Sequence, residues 1–259
     1  MMNNIWHLSK KEALEFLRTS KFIWIPIVFI LMCVVQPITL YYMEDILKAS
    51  NSIPKGFPLD MPLPTSGEAM YSSLSQFSTI GTLIIIGTTM ATIFEEYNKG
   101  QATLLFVRPV SKTEYVISKW LSYSLLFLIS FIISFFVTYY YVEILFGSIP
   151  INILMNSLAL SSLWIVFVVA LTLLCSSIFK SNGAVFGVST LVCALLGLLQ
   201  SLIPAKMAFS PTNLFSIVLD VINMKSNDDI FITVGCTLAI IVFLNVFTIL
   251  VLKKKVVHS

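Results

Sequence analysis

Residues 153–179 read ILMNSLALSSLWIVFVVALTLLCSSIF, with no acidic or basic side chain between Ile153 and Phe179. A helix rises about 1.5 Å per residue and the hydrocarbon core of a bilayer is about 30 Å thick, so about 20 apolar residues cross it. This stretch exceeds that length. Outward from it lie five more apolar runs: Phe22–Tyr42, Ser75–Phe94, Tyr115–Phe146, Gly183–Ile203 and Ile230–Leu252. Each is long enough to span. The pattern predicts an all-α, polytopic membrane protein with six transmembrane helices, forming a single transmembrane domain over residues 1–259.

Composition argues against a large water-soluble catalytic domain and predicts a single membrane domain. The chain is 57% hydrophobic and 11% charged, with mean hydropathy +0.92. A soluble domain carries about 25% charged residues. The longest connection, Met43 to Leu74, is too short to hold a catalytic domain.

The placement of charge orients the chain. With the N-terminus inside, the cytoplasmic side holds Lys10, Lys11, Arg18, Lys21, Lys99, Arg108, Lys112, Lys119, Lys180, Lys253, Lys254 and Lys255. Only Lys48, Lys55, Lys206 and Lys225 of the 16 basic residues fall outside. Basic residues near helix ends are retained in the cytoplasm, which puts both termini inside. No cleavable signal peptide is expected, because mostly polar residues precede the first run and no small-residue cleavage site follows it. Cys33, Cys175, Cys193 and Cys236 all lie inside spans without metal-site spacing and read as small apolar residues.

The connections carry their own signals. Residues 1–21 read as an interfacial cytoplasmic helix: Ile5, Leu8, Ala13, Leu14 and Leu17 are apolar, and Lys10, Lys11, Glu12, Glu15 and Arg18 are charged. The first outer connection holds Pro54, Pro58, Pro62 and Pro64, which disfavour a long helix. After the second span comes Glu95-Glu96, then Gly100 as a helix stop, a short apolar stretch at Leu104 and Leu105, and a break at Pro109. Ser111 and Glu114 then form an S-x-x-E capping box for the third span. A short apolar-faced helix in the cytoplasm needs a surface to bury against. Lys180-Ser181-Asn182 makes a tight inner hairpin. The last outer connection, Pro204 to Asp229, is too apolar for a free loop and reads as a re-entrant or interfacial helix.

Catalytic signatures are missing. There is no phosphate-binding G-x-x-x-x-G-K-[ST] loop, and the only histidines are His7 and His258. Glu95-Glu96 resembles the acidic pair of CAAX-type membrane proteases, but Gly100 stands where that pattern has Arg, and the downstream histidines are absent. The chain is expected to be no enzyme, to need no cofactor, to hold no metal and to bind no nucleic acid. No charge lies mid-span, which argues against a proton or ion relay.

Two stripes remain. Ser75, Ser78, Thr79, Thr82 and Thr89 recur at helical intervals in the second span. Gly183, Gly187, Thr190, Ala194, Gly197 and Ser201 do so in the fifth. Small residues allow close helix packing. Hydroxyls can equally line a substrate path, and the two readings stay open for both stripes.

Taken together, these features make the chain resemble the permease subunit of the type-2 ABC exporter family, over essentially its whole length. The features that carry the resemblance are the six spans with both ends inside, the amphipathic N-terminal helix, the apolar outer segment before the last span, and the run Glu95-Glu96…Gly100…Leu104-Leu105…Pro109-Val110-Ser111-Lys112. Members often have Thr or Ser after the glycine, where this chain has Gln101. The resemblance implies that residues 95–112 carry the segment coupled to a separate ATPase, with Glu95, Glu96, Gly100, Leu104, Leu105 and Pro109 as its residues. It further implies two permease subunits, identical or related, two ATPase copies beneath them, a path lined by spans two and five, and residence in a bacterial cell membrane. An uncharged, hydroxylated path suits lipids, amphipathic peptides or hydrophobic drugs. The alternative function is a membrane sensor or sequestering partner that transports nothing.

Overall fold

The computed structural model describes residues 2–49, 63–98, 111–223 and 229–255. Their regular structure is entirely helical. Six helices among the described residues are long and apolar enough to cross a membrane. An amphipathic helix, α1 (Met2–Arg18), comes first. The first span is α2 (Lys21–Tyr41), followed by a short α3 (Met43–Ala49). The second span is segmented into α4 (Ser66–Gln76), a π-turn (Phe77–Gly81), α5 (Thr82–Thr89) and α6 (Thr92–Asn98). The remaining spans are α7 (Lys112–Phe146), α8 (Ile151–Ile178), α9 (Asn182–Leu202) and α11 (Ile230–Lys255). Between the last two lie a 3-10 turn (Pro204–Lys206) and α10 (Asn213–Ile222).

Burial ranks the spans. In the most apolar stretch of α8, 67% of residues are buried, and in α7 56%; the values for α9 and α11 are 17% and 22%. The α7–α8 pair is therefore the centre. α2 packs along α7, α11 along α8, and α1 packs on the N-terminal part of α7. The chain turns from α1 into α2 at Ser20, which sits in the left-handed region at φ 55°. That conformation is uncommon outside glycine and marks the turn between α1 and the first span.

Helix α4 begins well before the run that starts at Ser75. Thr65 and Glu68 form a capping box: the Glu68 N–H donates to Thr65 Oγ1 (3.3 Å) and the Thr65 N–H to Glu68 Oε2 (2.8 Å). The helix thus starts directly after Pro64, inside what composition marks as loop. The box at Ser111 and Glu114 is also formed, with bonds of 3.2 and 2.9 Å, and starts α7.

Phe77, in the π-turn, is completely buried and joins three helices. Its ring meets Phe29 of α2 at 5.0 Å, edge to face, and Phe131 of α7 at 4.6 Å. Such pairs contribute about 0.5–1.5 kcal/mol each beyond burial. Gly81 lies one turn on, and a Cβ there would approach the Phe77 ring to 2.8 Å. The π-turn and the glycine therefore belong together. Helix α10 buries Leu214, Ile217 and Val218 against α8 and α4. Gly67 permits this approach, since a Cβ there would lie 2.5 Å from Ile222 Cγ2.

Candidate functional site

The segmented second span touches two sites, one in each half of the bundle. In the half that carries α10, a cavity of about 500 Å³ lies between α4, α5, α8, α9 and α10. That volume is within the range of ligand pockets, about 300–1,000 Å³. From the two sequence stripes, Ser78, Thr79, Thr82, Thr190, Ala194, Gly197 and Ser201 line it. Ser75 does not line it; its carbonyl oxygen accepts from Ser78 Oγ (2.8 Å) and Thr79 Oγ1 (3.2 Å). Thr89 is buried elsewhere. A Cβ added at Gly183, Gly187 or Gly197 meets nothing within 4 Å, so these glycines pack closely against no described residue.

The stripes do not name the wall that faces them. Trp164 of α8 and Phe215 of α10 meet edge to face at 5.7 Å and complete the cavity with Tyr71, Gln200, Thr212 and Ser216. Trp164 Nε1 donates to Thr82 Oγ1 (2.9 Å), tying α8 to α5. Trp164 and Gln200 were legible as isolated polar-tipped residues inside apolar runs, but nothing in their spacing sets them opposite the hydroxyl stripe.

At the other end, α1, α6 and α7 converge on buried charge. Lys119 Nζ lies 3.0 Å from Glu12 Oε1 and 3.1 Å from Glu96 Oε2. Glu96 also accepts from Lys11 Nζ (2.7 Å) and Tyr115 OH (2.6 Å). Lys119 is 1% exposed and Glu12 3%. Two carboxylates and two ammonium groups balance here, which is what permits their burial. Burial alone would lower the Lys11 pKa; the hydrogen bond and charge of Glu96 outweigh it and hold the value above the ordinary lysine range. Oxygens of Glu12, Glu15 and Glu96 lie within 4.8 Å of one another, and Lys119 and Lys11 already pair with two of the three, Glu12 and Glu96. Phe16 of α1 packs edge to face on Tyr123 at 4.8 Å, while Trp6, Leu14 and Leu17 are exposed.

The acidic pair thus faces the bundle. Glu96 joins the charge cluster, and Glu95 Oε1 accepts from Asn182 Nδ2 (3.2 Å) at the start of α9. Gly100, Leu104, Leu105 and Pro109 lie outside the described residues.

Between the two sites the second span is jointed. α5 ends at Thr89 and α6 starts at Thr92. A break in a helix leaves carbonyl and N–H groups without intrahelical partners. Ser176 of α8 serves them: its Oγ donates to Met90 O (2.8 Å) and accepts from the N–H groups of Ile93 and Phe94 (3.2 Å each). One hydroxyl from a neighbouring span thereby replaces the missing turn. The arrangement sets α6, which carries Glu95 and Glu96, in series with α5, which forms a cavity wall.

The comparisons agree with this architecture. The family model described as "ABC-2 family transporter protein" matches residues 6–255. An uncharacterised transmembrane protein of Bacillus subtilis (strain 168), YxlG, is 34% identical over 207 residues, covering 80% of each chain.

Proposed function

The chain belongs to the ABC-2 family of transporter proteins, and from that premise we propose that it is the permease subunit of an ATP-driven exporter, moving its substrate through the cavity lined by α5 and α9. The jointed second span carries this reading. Its outer part forms cavity wall, and its inner part, α6, leads into residues 99–110, where an ATPase would seat. Glu95 and Glu96 then act as the root of the coupling segment, anchoring it to α9, α1 and α7. Closure of an ATPase pair would push this root, and the joint at Met90–Ala91 would let α6 tilt while α5 changes the cavity's shape. ATP supplies the bias between the two arrangements.

In this proposal two permease subunits, identical or related, sit above two ATPase copies in the cell membrane, with both termini cytoplasmic as the charge bias implies. Catalysis belongs to the ATPase. The test is co-purification and ATP-driven transport with candidate ABC ATPases from the same genome. Leu104→Asp combined with Leu105→Asp should abolish complex formation while the permease still inserts. Normal co-purification and transport by this double variant would remove residues 99–110 from the coupling role.

A further inference from the structure

Helix α1 carries more than the face that packs on α7. Glu12 and Phe16 are buried and hold it to Lys119 and Tyr123. Eleven residues make about three helical turns, so Trp6 and Leu17 share one line along the helix, and His7 and Arg18 share the next. All four side chains are exposed. The second line borders an open groove of about 430 Å³, lined by His7, Lys10, Lys11, Leu14, Glu15 and Arg18.

Charge in this groove is one-sided, with Lys10, Lys11 and Arg18 against Glu15. Lys11 is engaged, with its Nζ 2.7 Å from Glu96 Oε1. An oxygen of Glu15 lies within 4.8 Å of oxygens of Glu12 and Glu96, on the side of the charge cluster. Lys10 and Arg18 are exposed and pair with no carboxylate among the described residues. His7 adds a ring N–H beside them.

The groove sits at the foot of two spans. Phe16 meets Phe22 of the first span at 6.3 Å and Tyr123 of α7 at 4.8 Å. Only Thr19 and Ser20 separate Arg18 from Lys21, where α2 begins. A helix lying in the interface sets aromatic and aliphatic residues at the acyl boundary and basic residues at the phosphates. A free phosphate would satisfy the cations and leave Trp6 and Leu17, 70% and 61% exposed, in water. An anionic lipid answers both lines at once.

We propose that α1 lies on the bilayer with this groove closed over the phosphate of an anionic lipid. Lys10 and Arg18, with His7, hold the phosphate, and Trp6, Leu14 and Leu17 enter the acyl boundary. A zwitterionic lipid brings its own ammonium to the same place and gains little from the two cations.

The test titrates the full chain, in a neutral detergent, with dihexanoyl phosphatidylglycerol, dihexanoyl phosphatidylcholine and inorganic phosphate. Native mass spectrometry counts the molecules bound. The two lipids share chains and phosphate and differ in net charge. Phosphatidylglycerol should bind saturably and about thirtyfold more tightly than phosphatidylcholine, the preference expected of two basic residues beside an anionic headgroup. Lys10→Gln with Arg18→Gln should erase that preference and leave thermal unfolding unchanged, since neither side chain has an ion-pair partner to lose. Lys180→Gln with Lys254→Gln removes the same charge from exposed positions elsewhere and should keep it. Trp6→Ser with Leu17→Ser should weaken both lipids alike. Equal affinity for the two lipids, or loss of the preference in the Lys180 and Lys254 control, overturns the proposal. Unchanged lipid binding without Trp6 and Leu17, or displacement of phosphatidylglycerol by an equal concentration of inorganic phosphate, would assign the groove to a free anion and overturns it too. Lys10 and Arg18 variants that keep the lipid preference but no longer co-purify with an ABC ATPase would give this face to the ATPase instead.

Discussion

Removing one hydroxyl should loosen the joint in the second span. In Ser176→Ala, Met90 O loses its donor and the Ile93 and Phe94 N–H groups lose their acceptor. Ser176 is fully buried and Ile93 is 1% exposed, so no water replaces them readily. Polar contacts between membrane helices average about 0.6 kcal/mol each, and three of them sum to about 2 kcal/mol. At 1.4 kcal/mol per factor of ten, opening of the joint becomes about thirtyfold more favourable. Native-state hydrogen exchange of the purified protein in nanodiscs reads this directly, at the Ile93 and Phe94 amides. The control is Ser157→Ala on the same helix. Ser157 is equally buried but donates only to Ile153 O within its own helix (2.9 Å), so exchange in α6 should not change. Exchange at Ile93 and Phe94 within twofold of the parent in Ser176→Ala would show that the break is satisfied some other way, and the joint would lose its physical basis.

Two further outcomes follow from packing and charge. Lys119→Met removes the buried cation between Glu12 and Glu96 and leaves only the half-exposed Lys11 shared by the two carboxylates, so it should destabilise the fold by about 3 kcal/mol; adding Glu12→Gln should recover part of it, as read by thermal unfolding in detergent. Gly81→Ala drives a Cβ into the Phe77 ring, which Phe29 and Phe131 hold in place, and should cost about 1–3 kcal/mol, whereas Gly187→Ala meets open space and should be neutral or stabilising by up to about 1 kcal/mol in the same assay.

The fold class was legible because span length is a local property. A run such as Ile153–Phe179 announces itself without reference to any other part of the chain. Caps are local too, and Ser111 with Glu114 was readable from spacing alone. The departures come from interactions across the sequence. Lys119 counts as one more cytoplasmic lysine until Glu12 and Glu96 are seen beside it. Nothing in Ser75–Phe94 announces a break at Met90, because its compensation sits in another helix, at Ser176. The hydroxyl stripe of the second span was visible as a face, since helical periodicity is also local. Its partners Trp164, Gln200 and Phe215 come from three separate helices, and no periodicity relates them. The small-residue stripe of α9 left packing and open space unresolved, and only the surroundings of Gly187 and Gly197 show open space.

The Ser176 clamp also dictates an order of assembly. During biosynthesis the second span enters the bilayer before the fourth has been made. A broken helix facing lipid alone would hold Met90 O and two N–H groups in hydrocarbon, at several kcal/mol for each unmet group. We expect the nascent second span to cross as one continuous helix, with the arrival of α8 making the interrupted form the cheaper one. The joint is thus made after insertion, by a hydroxyl translated some eighty residues later (roughly the 86-residue separation of Ser176 from Met90).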